Sequence, residues 1–111
     1  MTKVGEGKTP AEKPSIELYH QQIDQSTMKF LNALETYKDA SSEDQGRLKG
    51  IMDQQLEIIR SSVNELKRAG IEKQEIKVEN DYKAYMSDGS EENFAALEHD
   101  VMTLREYNQL P

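Results

Sequence analysis

From Ile16 onward, the apolar positions of this chain fall into four blocks with helical spacing, separated by short polar breaks. In the first block Ile16, Ile23, Phe30 and Tyr37 are seven apart and are joined by Tyr19, Ala33 and Leu34. At about 100° per residue they form one stripe roughly 120° wide, as a core-facing helix requires. The stripe predicts a helix over 15–40, with Ser15, just after Pro14, as its N-cap. The break DASSEDQG follows, and Ser42-x-x-Gln45 has the form of a capping box. A second helix is predicted over 42–69, where Leu48, Ile51, Met52, Leu56, Ile58, Ile59, Val63 and Leu66 spread over roughly 160°, wide enough for two neighbours. The segment LKRAGI ends it: Lys67 and Arg68 suit the negative helix end, and Gly70 can take the left-handed conformation.

Ile71, Val78, Tyr82, Tyr85 and Met86 lie within about 100° of one another and predict a third helix over 72–87. Its start is open, because Ile76 and Val78 could alternate in an extended piece, with Asn80 or Asp81 capping a helix that begins later. SDGS breaks the chain again, Ser90 can cap, and Phe94, Leu97, Val101 and Leu104 give a fourth helix over 90–109. The fold class is therefore all-α: an antiparallel helical hairpin of two long helices with a shorter C-terminal helix pair, a three- to four-helix bundle. Residues 1–14 hold Gly, Pro, Lys and Glu with Val4 as the one large interior-type side chain after Met1, so they read as a disordered tail before a helical domain over 15–111.

Composition narrows what such a bundle can do. At 111 residues the chain suits one domain. A net charge of −7 opposes binding to phosphate backbones or anionic membranes, so a basic protein partner fits better than nucleic acid or membrane. The excess is uneven, since 90–111 carries Glu91, Glu92, Glu98, Asp100 and Glu106 against Arg105 alone. Cysteine is absent, which removes disulfides, thiolate ligands and cysteine nucleophiles and suits a reducing cytoplasm. No apolar run approaches the roughly 20 residues of a spanning helix.

The nearest approach to a chemical motif is Glu17-x-x-His20, a spacing used in pairs by carboxylate-bridged di-metal bundles. Only one copy is present, and the helical step puts Glu17 about 100° off the stripe centre. The inner line of the second helix, Leu48, Met52, Gln55, Ile59, Ser62 and Leu66, offers no acid. His99 falls opposite the Leu97 and Val101 stripe, and its neighbour Asp100 diverges from it by about 100°, which does not make a base and its orienter. No metal, cofactor or catalytic residue is assigned. Lys67, Arg68, Lys73 and Lys77 alternate with Glu65, Glu72, Glu75 and Glu79, the pattern of a solvated face laced with ion pairs.

The predicted lengths do not match. Two helices of about 40 Å beside two of about 25 and 30 Å would leave the tip of the long hairpin uncovered. Phe30, Leu34, Tyr37, Leu48, Ile51 and Met52 are then expected to line an exposed apolar groove for another protein's amphipathic helix or for a second copy of the chain. The function expected is non-enzymatic: a small acidic adaptor, chaperone-like or regulatory interaction module, able to self-associate. The alternatives are a metal- or ligand-binding bundle using Glu17 and His20, and an acidic inhibitor that mimics nucleic acid through Glu91, Glu92, Glu98 and Asp100 of the last helix.

Overall fold

The computed structural model describes residues 15–109. The tail expected over 1–14 lies outside them. Four helices follow in order: α1 (Ile16–Tyr37), α2 (Ser42–Leu66), α3 (Ala69–Ser87) and α4 (Glu91–Gln109). Each packs on two neighbours, α1 on α2 and α4, and α3 on α2 and α4, so the chain is an antiparallel bundle with helices at the corners of a square. The all-α bundle expected from the apolar spacing is present.

Local chemistry sets the helix ends. Ser15 caps α1, its hydroxyl accepting the Leu18 amide at 3.2 Å, and Ser90 accepts the Asn93 amide at 3.2 Å before α4. The second cap is shifted by one residue from the expected box. Ser41, not Ser42, accepts the Asp44 amide, and the Gln45 side chain donates to the Tyr37 carbonyl at 3.0 Å, tying the start of α2 to the end of α1.

The α2–α3 turn departs further from expectation. Lys67, with φ of 56°, takes the left-handed position assigned to Gly70, and its amide donates to the Val63 carbonyl. Only Lys67 and Arg68 separate α2 from α3. Gly70 lies in the first turn of α3, which runs unbroken through Ile76, Lys77 and Val78.

That tight turn lengthens α3, while α1 and α2 remain the longer pair. The helices hold 22, 25, 19 and 19 residues, so α3 and α4 reach the turn end of the long hairpin. One core fills the square. Ile23, Phe30 and Leu34 of α1 meet Met52 and Ile59 of α2, Val78 of α3, and Leu97 and Leu104 of α4, all essentially inaccessible.

Candidate functional site

The residues expected to line an open groove lie inside the bundle or at its edge. Phe30, Leu34, Leu48 and Met52 are buried, and Tyr37 and Ile51 are half-buried against the same core. Aromatic side chains of the C-terminal pair do the sealing: Tyr82 meets Phe30 edge-on at 5.7 Å, Tyr85 meets Tyr37 at 5.9 Å, and Phe94 lies tilted against Tyr85 at 5.9 Å. These rings cover the tip although α1 and α2 remain longer than α3 and α4.

The antiparallel order brings the α1–α2 and α3–α4 turns to one end of the bundle. There Asp39, Glu43 and Asp44 join Asp88, Glu91 and Glu92, all six exposed. Between the turns is a cleft of about 500 Å³ lined by Lys38, Asp39, Tyr85, Gly89, Glu91 and Phe94. The Lys38 ammonium stands 4.5 Å above the centre of the Phe94 ring, a cation–π contact. The first-turn acids of α2 and α4 favour their helix dipoles. Asp39 and Asp88 stand between a negative helix end behind them and a positive one ahead, two residues before the caps Ser41 and Ser90. Glu98 and Asp100 are half-buried on the sides of α4, which leaves Glu91 and Glu92 facing open solvent.

At the opposite end, α1 and α4 are held by matched polar groups. Asn108 is buried and donates to the His20 carbonyl at 2.9 Å. Its side-chain oxygen therefore faces the ring and accepts a hydrogen bond from His20 Nδ1 at 2.7 Å. Arg105 donates to the Asp24 carbonyl and the Thr27 hydroxyl and pairs with the Asp24 carboxylate at 3.2 Å. Glu17 and His20 share a shallow cleft with Asp24, but Glu17 is exposed and Asp24 is engaged by Arg105. Among the described residues no three His, Cys, Asp or Glu side chains are grouped to hold a metal. His99 is exposed, and its backbone carbonyl accepts the Thr103 hydroxyl.

The two seams of α3 are unlike that one. On the α2 side Glu75 is 4% exposed, and its Oε2 has no donor among the protein's groups. Glu79 follows one turn later on the same helix, so a second acid neighbours the buried one. Burial first, and Glu79 second, push Glu75 up to about 8. Glu79 moves down, held by the Glu75 hydrogen bond and by Arg60 of α2, which donates from Nε at 2.9 Å.

On the α4 side Asp81 faces Asp100. Burial, then the hydrogen bond to Asp100, raises Asp81 to about 6, and its Oδ2 also lacks a donor. Gln74 holds Asp100 in place, donating to its carbonyl at 2.9 Å and to Oδ1 at 3.3 Å. Between the two seams the Tyr82 hydroxyl donates to Asp53 of α2 at 2.6 Å. Burial raises Asp53, but Tyr82 and the Lys49 ammonium outweigh it and hold its carboxyl below the usual range. Glu75 is buried and Glu79 half-buried, where the alternating charges of this stretch imply a solvated face. A signal was there, since Glu75 falls within the Ile71, Val78 and Tyr82 stripe at the helical step.

No protein-family model, curated protein or solved structure matches this chain. Among the described residues no helix is long and apolar enough to cross a membrane.

Proposed function

We propose that this bundle is a non-enzymatic protein-interaction module, a small acidic adaptor or chaperone-like protein of the cytoplasm that holds a basic segment of its partner at the acidic turn end. The observation that carries the reading is the convergence of six exposed carboxylates, Asp39, Glu43, Asp44, Asp88, Glu91 and Glu92, from two turns remote in sequence. Asp39 and Asp88 come from the two turns themselves, so the carboxylates of both connections gather at one end. A lysine- or arginine-rich segment would be steered to such an end from solution. One of its cations could take the place of Lys38 above Phe94. This replaces the expected apolar groove with an electrostatic surface while keeping the same class of function.

A labelled lysine- and arginine-rich peptide tests it by fluorescence anisotropy. Binding should weaken as salt rises, because exposed charges are screened within about 10 Å at 0.1 M. Changing Glu43, Asp88, Glu91 and Glu92 together to their amides should raise Kd about tenfold, roughly 1.4 kcal/mol spread over four exposed charges. Equal affinity for the parent and the amide variant would refute this surface.

A further inference from the structure

Along α3 the acids Glu72, Glu75 and Glu79 stand three and four residues apart, which puts them in one line on the face turned to α2. That line borders a cleft of about 460 Å³ whose α2 wall is Arg60, Val63 and Asn64, with the exposed Ile76 at its rim. The charges across it do not balance. Among the described residues Arg60 is the only cation lining the cleft, and it is engaged elsewhere: Nε and Nη2 donate to Glu79, and Nη1 pairs with Glu57. Glu72 has no ion pair among the described residues. Glu75 is 4% exposed, lines the cleft, and leaves its buried Oε2 without a donor from the chain. Buried acceptors ordinarily have a partner, so this oxygen points to a donor from outside the chain.

We propose that the α2–α3 cleft is a binding site for a primary ammonium group carried on an alkyl stem, with Glu75 Oε2 as its buried acceptor and Glu72 as a second carboxylate at the mouth. The stem lies between Val63 and Ile76, the aliphatic side chains that line the cleft. Water would give Glu75 a donor but gain nothing from those two walls, whereas an alkylammonium uses both features of the site. The head group is a compact ammonium because the planar fork of a guanidinium pairs with two oxygens of one carboxylate, and Glu75 offers Oε2 alone as its open buried oxygen. The Arg60 to Glu79 bridge closes the cleft toward Tyr82 and keeps Glu79 occupied, so the added charge is read by Glu75 and Glu72. The site does not depend on the acidic turn end, which lies at the far end of α3.

An NMR titration of the full chain tests it, with Nα-acetyl-lysine methylamide as a stand-in for a partner's side chain and spermidine as a free polyamine. The expected result is that backbone amides of 60–64 and 72–79 shift and saturate with at least one probe. Acetylating the lysine probe at Nε, which removes its charge, or changing Glu75→Gln should raise Kd about tenfold or more, the scale of a hydrogen bond to a charged group. Tighter binding of the lysine probe assigns the site to a protein side chain, and tighter binding of spermidine assigns it to a free polyamine; either outcome supports the site. The variant with amides at Glu43, Asp88, Glu91 and Glu92 should titrate like the parent, which separates this cleft from the turn end. The site is overturned if no amide of 60–64 or 72–79 saturates, if the neutral probe binds as well as the charged one, or if the shifts fall at the acidic turns and vanish in the four-amide variant. The charged and neutral probes are compared on the parent chain, so a substitution that failed to fold would leave the test intact.

Discussion

The seam between α1 and α4 and the seams around α3 are both polar, yet they bury their charges differently. In the first, Arg105 meets Asp24 and Thr27 and Asn108 meets His20, with one like-charged contact beside them, Glu35 of α1 against Glu98 of α4, which raises Glu98. Around α3, Asp81 faces Asp100 of α4, and Glu75 is buried one turn before Glu79 of its own helix, with Arg60 of α2 bonded to Glu79 across the seam. The difference shows that burial in a small bundle does not by itself dictate opposite charges. A buried carboxyl whose neighbour is another acid resists ionisation, and the fold around it inherits a pH dependence that the Arg105 cluster lacks.

The largest expected effect comes from charging the core that all the seams share. Leu48→Glu puts a carboxylate at a site 5% exposed and should cost about 4 kcal/mol or more, unfolding most of the chain by circular dichroism. An open groove at this position would instead leave helicity intact, so the measurement separates the two pictures.

Next comes the matched seam. Arg105→Ala removes two hydrogen bonds and an ion pair from a side chain 19% exposed, and should lower stability by about 2 kcal/mol in urea titrations, to the same extent at pH 6 and pH 9. A loss that changed with pH over this range would blur the contrast drawn above.

The acid seams give a smaller effect with a sign fixed by linkage. Glu75 has its pKa raised in the folded state from 4.5 to about 8, and Asp81 from 3.8 to about 6. Folding therefore takes up protons. Their contribution is complete below about pH 4, declines as pH rises through the folded values, and is gone above about pH 8. Glu75→Gln should flatten this decline and raise stability at pH 9 by about 1 kcal/mol, an increase in melting temperature of about 5 °C. At pH 4 the variant and the parent should melt alike. Last, Ser15→Ala removes the α1 cap without touching either kind of seam, and should cost about 1 kcal/mol at every pH.

Most of the fold was legible in the apolar spacing. Ile23, Phe30 and Leu34 of α1 and the inner line of α2 from Leu48 to Leu66 are all buried as the helical step implies, and Ser15 and Ser90 cap as expected. The α2–α3 turn was misread because glycine is the usual left-handed residue, whereas here Lys67 accepts that backbone and α3 starts earlier. That shift decided the site. With α3 begun at Ala69, the C-terminal pair reaches far enough for Tyr82, Tyr85 and Phe94 to cover the hairpin tip. The acidic end was only half visible, because the local charge count of 90–111 says nothing of Asp39, Glu43 and Asp44 until the topology sets them alongside. Glu75 and Asp81 were hidden by a different habit, that of assigning charged residues to the solvent, when the same angular step that found the core puts Glu75 within the stripe.

The clasp of Asn108 on His20 also fixes how this bundle can be handled. Since the opening turn of α1 and the closing turn of α4 finish side by side, the four helices enter and leave through one door. They could be spliced as a cassette into a surface loop of a host protein, with both junctions next to each other and the carboxylate-rich turns pointing away from the host.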